Sequence, residues 1–255
     1  MILKVLLLIL SLLLVLIVIL NTNTIKNTLK KENTLIVAYS AENINWIQNE
    51  SKNFNSIFIY TKCKKPIPTS IMYLNNVTIT QIKNIGSCDY AFLTHIINEY
   101  NNLSGYITFG KGKNNKYKNK IVSRNSKYYN HHRHDDNFVL NSWNFTNNKN
   151  MSNKFVKSGL TFREWLIDCF GESLYNHLMT YTCMCYGGYF TVHTKNLKKF
   201  PKNMYERMRS YQQHRNEEVD HFIERVWGML ITCKPHTQFT YEYFERLPPP
   251  KVVYK

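Results

Sequence analysis

The sequence predicts an α/β fold, a mostly parallel central sheet flanked by helices, preceded by one N-terminal transmembrane helix. Three observations carry that expectation. Short apolar runs rich in β-branched residues alternate with amphipathic stretches between Leu35 and His193, the order that gives parallel strands with crossover helices. The 255 residues, 44% hydrophobic and 14% aromatic, can bury a core, which excludes disordered and disulfide-scaffold classes. Residues 1–20, MILKVLLLILSLLLVLIVIL, are apolar except for Lys4 and Ser11.

The elements follow in order. Val5 to Leu20 would make roughly 24 Å of helix, which spans a bilayer with thinning or with help from Met1 to Leu3. Asn21, Thr22, Asn23 and Thr24 follow it, so no small-residue cleavage site is present, and a signal-anchor is read over 1–20 in preference to a cleaved signal peptide. A polar stem over 21–33 leads to a domain over 34–247 and an extended tail over 248–255. Leu35 to Tyr39 reads as a buried strand and Ser40 to Asn53 as loosely helical. Ser56 to Thr61 and Val77 to Ile82 are further strands. Asp89 to Tyr100 places Phe92, Ile96 and Ile97 on one helical face, and Tyr106 to Phe109 returns to strand. After a long loop, Leu160 onward is helical, Gly188 to His193 is a strand, and Pro201 to His214 and Glu217 to Ile231 are helices, the last with Phe222, Val226 and Met229 as its core side.

Charge is a weaker guide than it looks. Lys+Arg total 33 against 17 Asp+Glu, a formal +16, but 31 residues are Asn and Lys outnumbers Arg 25 to 8. AT-rich codons produce that mix without a binding face. Lys111 to Arg133 concentrates eight basic residues and no acid; its few aromatics make nucleic-acid binding an unfavoured reading. Membrane orientation is read two ways. Lys26, Lys30 and Lys31 favour a cytosolic domain, whereas glycosylation sequons at Asn49, Asn76, Asn102, Asn144 and Asn150 would suit a lumenal one, in a number that chance supplies. Six cysteines form no CxxC pair, and Cys183 and Cys185 read as buried small hydrophobes.

No phosphate-cradling GxxxxGK[ST], HExxH or GxSxG motif is present. Four weaker features remain, each with a bland alternative. Phe109 to Gly112 (FGKG) could bring backbone amides to a phosphate or form an ordinary turn. His131, His132, His134, Asp135 and Asp136 suit a divalent ion or a solvated polar loop. His221, Glu224 and Arg225, at i, i+3 and i+4, gather a base, an acid and a cation on one helical side, or form a surface face. Tyr186, Gly187, Gly188 and Tyr189 permit close backbone approach to a ligand, or a turn.

The segment NIGSCDYAFLTHIINEYNNLSGYITFGKG resembles the helix and strand of an uncharacterised glycosyltransferase-like family, of the domain of unknown function 3431 type. Members of that family read approximately N-x-G-R-E, a Tyr-Leu-x-x-Ile-Ile helix and Phe-x-Gln-Gly. YGGYFTVHTKNLKKFPKNMYERMRSYQQHRNEEVDHFIERVWGML is similar to its carboxyl-terminal block, and VAYSAENINWI resembles its opening strand. The resemblance implies a nucleotide-sugar transferase fold (GT-A-like) that moves a sugar from a nucleotide sugar to the hydroxyl of a glycan or protein acceptor. It implies Glu224 as catalytic base assisted by His221 or Arg225, with Glu42, Tyr186, Gly187 and Gly188 lining the substrate site. A divalent metal ion is left open as cofactor. Ser87 and Cys88 stand where members carry Arg-Glu, Lys111 stands at the glutamine position, and no aspartate pair follows Phe109. Either cations carry the diphosphate in place of a metal, or the chain is an inactive descendant that binds glycans or a protein.

Overall fold

The computed structural model describes residues 32–113, 156–180, 188–215, 217–234 and 236–251. The segment 1–20, most of the stem and of the basic loop, the His131 to Asp136 cluster, the sequons at Asn144 and Asn150, and Cys183, Cys185, Tyr186 and Gly187 lie outside them. Among the described residues no helix is long and apolar enough to cross a membrane.

Strands β1 (Asn33–Tyr39), β2 (Ser56–Thr61), β3 (Val77–Gln81), β4 (Tyr106–Lys111) and β5 (Phe190–His193) form one sheet in the order β3-β2-β1-β4-β5. The first four are parallel, and β5 runs antiparallel to β4 with Phe109 opposite Phe190. β1 is central because both of its faces are apolar. Leu35, Val37 and Tyr39 point to one side, Ile36 and Ala38 to the other, and all are buried, as an interior parallel strand requires.

The two sides are unequal. Leu35, Val37, Tyr39, Ile57 and Ile59 meet Ile44, Ile47, Ile67 and Ile71 around two short helices, α1 (Trp46–Glu50) and α2 (Thr69–Met72). The opposite side carries the larger core, built from α3 (Cys88–Asn98), α4 (Phe162–Leu178), α5 (Thr194–Leu197), α6 (Lys202–Ser210) and α7 (Glu218–Thr232), with α8 (Tyr241–Glu245) against α6. Trp227 stacks near Phe109 and Tyr205, and Trp165 packs against Phe162, Phe170 and Phe222. Phe222, Val226 and Met229 are buried as expected.

The predicted single apolar face of α3 is corrected. Ala91, Leu93, Thr94 and His95 are buried along with Phe92, Ile96 and Ile97, because the helix lies between the sheet and α6. His95 reaches Tyr60 at 3.0 Å, and burial pushes its imidazole down to about 4. α4 begins at a capping box in which Thr161 and Glu164 exchange side-chain and backbone hydrogen bonds. Cys63, Cys88, Cys169 and Cys233 are free thiols, the last three buried.

Candidate functional site

Strand order alone points to the site. β1 connects to β2 on one side, while β4 lies on β1's other side, so the chain reverses direction across the sheet between the carboxyl ends of β1 and β4. In an open α/β sheet the crevice at that reversal is where ligands bind. A pocket of about 260 Å³ opens there, lined by Ala38, Ser40, Glu42, Lys62, Asn84, Gly86, Ser87, Cys88, Lys111 and Arg215.

Its first wall is the turn after β1. Ala41 has φ of 74°, a left-handed conformation costly for a residue with a Cβ. The turn brings Glu42 back so that its Oε2 accepts a hydrogen bond from the Ser40 amide at 2.5 Å. Glu42 packs against Gly112, where an added Cβ would lie 2.8 Å from Oε2. Trp46 donates its indole N–H to the Gly112 carbonyl at 2.8 Å. Of the two readings of FGKG, backbone amides offered to a phosphate or an ordinary turn, the first does not hold at Gly112, whose N–H is already bonded to the Ala38 carbonyl at 2.9 Å. What the motif contributes to the pocket is the Lys111 side chain.

The second wall is the loop entering α3. Lys62 is buried, and its ammonium donates to the carbonyls of Ile85 (2.7 Å), Gly86 (3.0 Å) and Ser87. Burial lowers its proton affinity, against the pull of Cys88, Asp220 and Asp89. Gly86 sits at φ 58°, and a Cβ there would fall 2.6 Å from the Gln212 amide nitrogen, so only glycine fits this bend. Asp220 fixes the loop from α7 by accepting from Gln212 at 2.6 Å and from the Ser87 amide; burial pushes its carboxyl up to about 6. Asp89, in the first turn of α3, accepts from Trp227 Nε1 and Ser87 Oγ, both at 2.7 Å, and burial, reinforced by Glu224, raises its carboxyl above the usual range.

The floor holds Cys88, Lys111 and Gly188. Burial keeps Cys88 a thiol by pushing its proton affinity far up. Lys111 is held above the usual lysine range by the Cys88 sulfur once that is ionised, and by Asp89 and Glu224, in opposition to its own burial. Gly188, at φ 69°, lets the backbone touch both: an added Cβ would lie 2.5 Å from Cys88 Sγ and 2.8 Å from Lys111 Cε. Neither Lys111 nor Arg215 donates a hydrogen bond to any described residue.

The sequence-predicted residues divide accordingly. Glu42 lines the pocket and Gly188 abuts its floor. Glu224 lies close enough to Cys88, Asp89 and Lys111 to influence their ionisation. The α7 face turned to the site is Asp220, Glu224 and Trp227, at i, i+4 and i+7, rather than the predicted His221, Glu224 and Arg225. His221 and Arg225 flank Glu224 instead, His221 Nδ1 at 3.8 Å and Arg225 Nη1 at 3.9 Å from its Oε2, and none of the three lines the pocket itself. Lys62, Asn84, Gly86, Asp89, Arg215 and Asp220 were not singled out from the sequence. Among the described residues no three His, Cys, Asp or Glu side chains gather as metal ligands.

The family model described as "Protein of unknown function (DUF3431)" matches residues 35–242. The chain belongs to that family. Its match runs from β1 to α8 and so takes in every element that builds the DUF3431 pocket. No curated protein and no solved structure matches the chain.

Proposed function

We propose that this DUF3431 protein is a glycosyltransferase of GT-A-like fold, which binds a nucleotide sugar at the carboxyl ends of β1 and β4 and transfers the sugar to a hydroxyl of a glycan or protein. The observation that carries this reading is the pair Lys111 and Arg215, two cations in the strand-end pocket with no described residue as acceptor. Such chemistry needs positive charge where the nucleotide diphosphate departs and a base for the acceptor hydroxyl. Glu224, positioned by Arg225 and His221, is the base. Pockets for whole small molecules run about 300–1,000 Å³. The present volume suits the diphosphate end of the donor, with the base and acceptor beyond it. Residues 1–20 anchor the protein as a single-pass membrane protein in this reading.

A second reading has its own observation. Cys88 is a buried neutral thiol lining the pocket at a position where the resemblance places glutamate, which favours a descendant that binds glycans or protein without turnover. Thermal shift against a panel of nucleotide sugars tests the donor site, since a ligand at a hundred times its dissociation constant adds about 2.7 kcal/mol. For a ligand found this way, sugar transfer by wild type and a loss of about a hundredfold or more in Glu224→Gln support the enzyme. Binding with no transfer supports the descendant, and unchanged transfer in Glu224→Gln removes the base assignment.

A further inference from the structure

The donor set around the pocket bears on which counter-ion a diphosphate would meet there. Lys62, Lys111 and Arg215 line it, against one carboxylate, Glu42. Glu42 has only its Oε1 left to offer, because its Oε2 accepts from the Ser40 amide and is pressed on Gly112, and one carboxylate oxygen does not make a divalent-metal site. Of the carboxylates behind the pocket, Asp89 and Asp220 are committed to donors of the chain, and Glu224 has two cationic groups within 4 Å. Asp89 has Trp227 on one oxygen and Ser87 on the other, Asp220 has Gln212 and two backbone amides, and Glu224 faces Arg225 and His221. A divalent ion placed among them would displace those hydrogen bonds and stand against three cations. The residues present therefore do not fit a metal.

The cations differ in what they have left to give. Lys62 has spent its three donors on the carbonyls of the loop entering α3 and acts by holding that loop. Lys111 keeps all three donors while half-buried between Cys88 and Gly188. Arg215 keeps its planar fork at the exposed rim, the geometry that pairs bidentately with phosphate oxygens. The Lys111 ammonium, its charge favoured by the nearby Asp89 and Glu224, has its three N–H donors left for a bound anion.

We propose that this pocket binds a nucleoside diphosphate without a divalent cation, with Lys111 and Arg215 as the clamp that neutralises it. The inference rests on the nucleotide-sugar reading above and adds to it the counter-ion. Lys111 meets the inner phosphate from the floor and Arg215 the outer one from the rim.

The test is titration calorimetry of the full-length chain with UDP, GDP, CDP and ADP, each in EDTA and again in millimolar Mn²⁺. The expected result is that one of them binds with a dissociation constant changed less than about threefold by the metal. Lys111→Gln and Arg215→Gln should each weaken that binding about tenfold or more, as loss of a charge-assisted hydrogen bond does. Arg215 is exposed, so its variant keeps the test open if Lys111→Gln fails to fold. Binding that requires Mn²⁺ overturns the metal-free clamp and leaves the donor-site reading standing. Binding in EDTA that neither substitution weakens overturns the assignment of the two cations. No binding of any diphosphate, with or without metal, overturns both the clamp and the reading beneath it.

Discussion

Gly188→Ala probes the contact on which the floor of the pocket depends. Two costs can be worked from the structure. A Cβ at φ 69° adds about 1–2 kcal/mol for the left-handed conformation. The same carbon would lie 2.5 Å from Cys88 Sγ, more than an ångström inside ordinary contact, and Cys88 sits on a buried helix that cannot retreat freely. Overpacking of that kind costs about 1–3 kcal/mol. Lys111 Cε, at 2.8 Å, is the end of a flexible chain and contributes less. The single variant should therefore lose about 3 kcal/mol by urea denaturation. Cys88→Ala removes the obstructing sulfur and by itself costs about 1 kcal/mol. In the double variant only the conformational cost and the lost sulfur remain, so the pair should be less destabilised than the sum by about 1–2 kcal/mol. Additivity to within about 0.5 kcal/mol would mean that Gly188 and Cys88 do not touch, and the described floor of the site would be wrong.

Two further outcomes follow from buried or strained groups. His95 has its imidazole lowered to about 4 from an ordinary 6.5, so its contribution to stability is complete above pH 6.5 and is lost as pH falls toward 4. Relative to His95→Gln, wild type should give up about 3 kcal/mol across that window in urea melts, and parallel pH curves for the two proteins would refute the assignment. Ala41→Gly should leave stability unchanged or raise it by up to about 1 kcal/mol, because relief of the positive φ outweighs the added chain entropy; Ala41→Val should lower the melting temperature by several degrees, and equal melting of both variants would contradict the turn geometry.

The centre of the sheet was legible because β1 is buried on both faces and therefore reads as a continuous apolar run, whereas the edge strand β3 has no buried residue and was marked only by its β-branched side chains. Ser56–Thr61 is found at its expected bounds, and β1, β3 and β4 within two residues of theirs. Alternation with helices implied the parallel order, whereas β5's antiparallel direction has no local signal: it depends on how the chain returns to the edge of β4. The helix Glu217 to Ile231 was visible from its period, but not which side meets the pocket. Spacing alone groups His221, Glu224 and Arg225 as readily as Asp220, Glu224 and Trp227, and only contact with α3 chooses between them. Lys62 could not be singled out, since one lysine among 25 carries no mark until the fold brings three carbonyls to its ammonium. Asp89 read as an ordinary first-turn acid for the same reason. Glu42 was found through the resemblance, and its link to Gly112 across 70 residues explains why both ends of that pattern belong together.

In the proposed function a nucleotide sugar is held at the carboxyl ends of β1 and β4. A crystal structure of the full-length chain soaked with the nucleotide sugar that gives the largest thermal shift tests it most directly. Diphosphate density is expected between Ser40 and Lys111, with Arg215 on its outer side and the sugar directed toward Glu224. Density at any other surface, with the strand-end pocket holding only solvent, would contradict it.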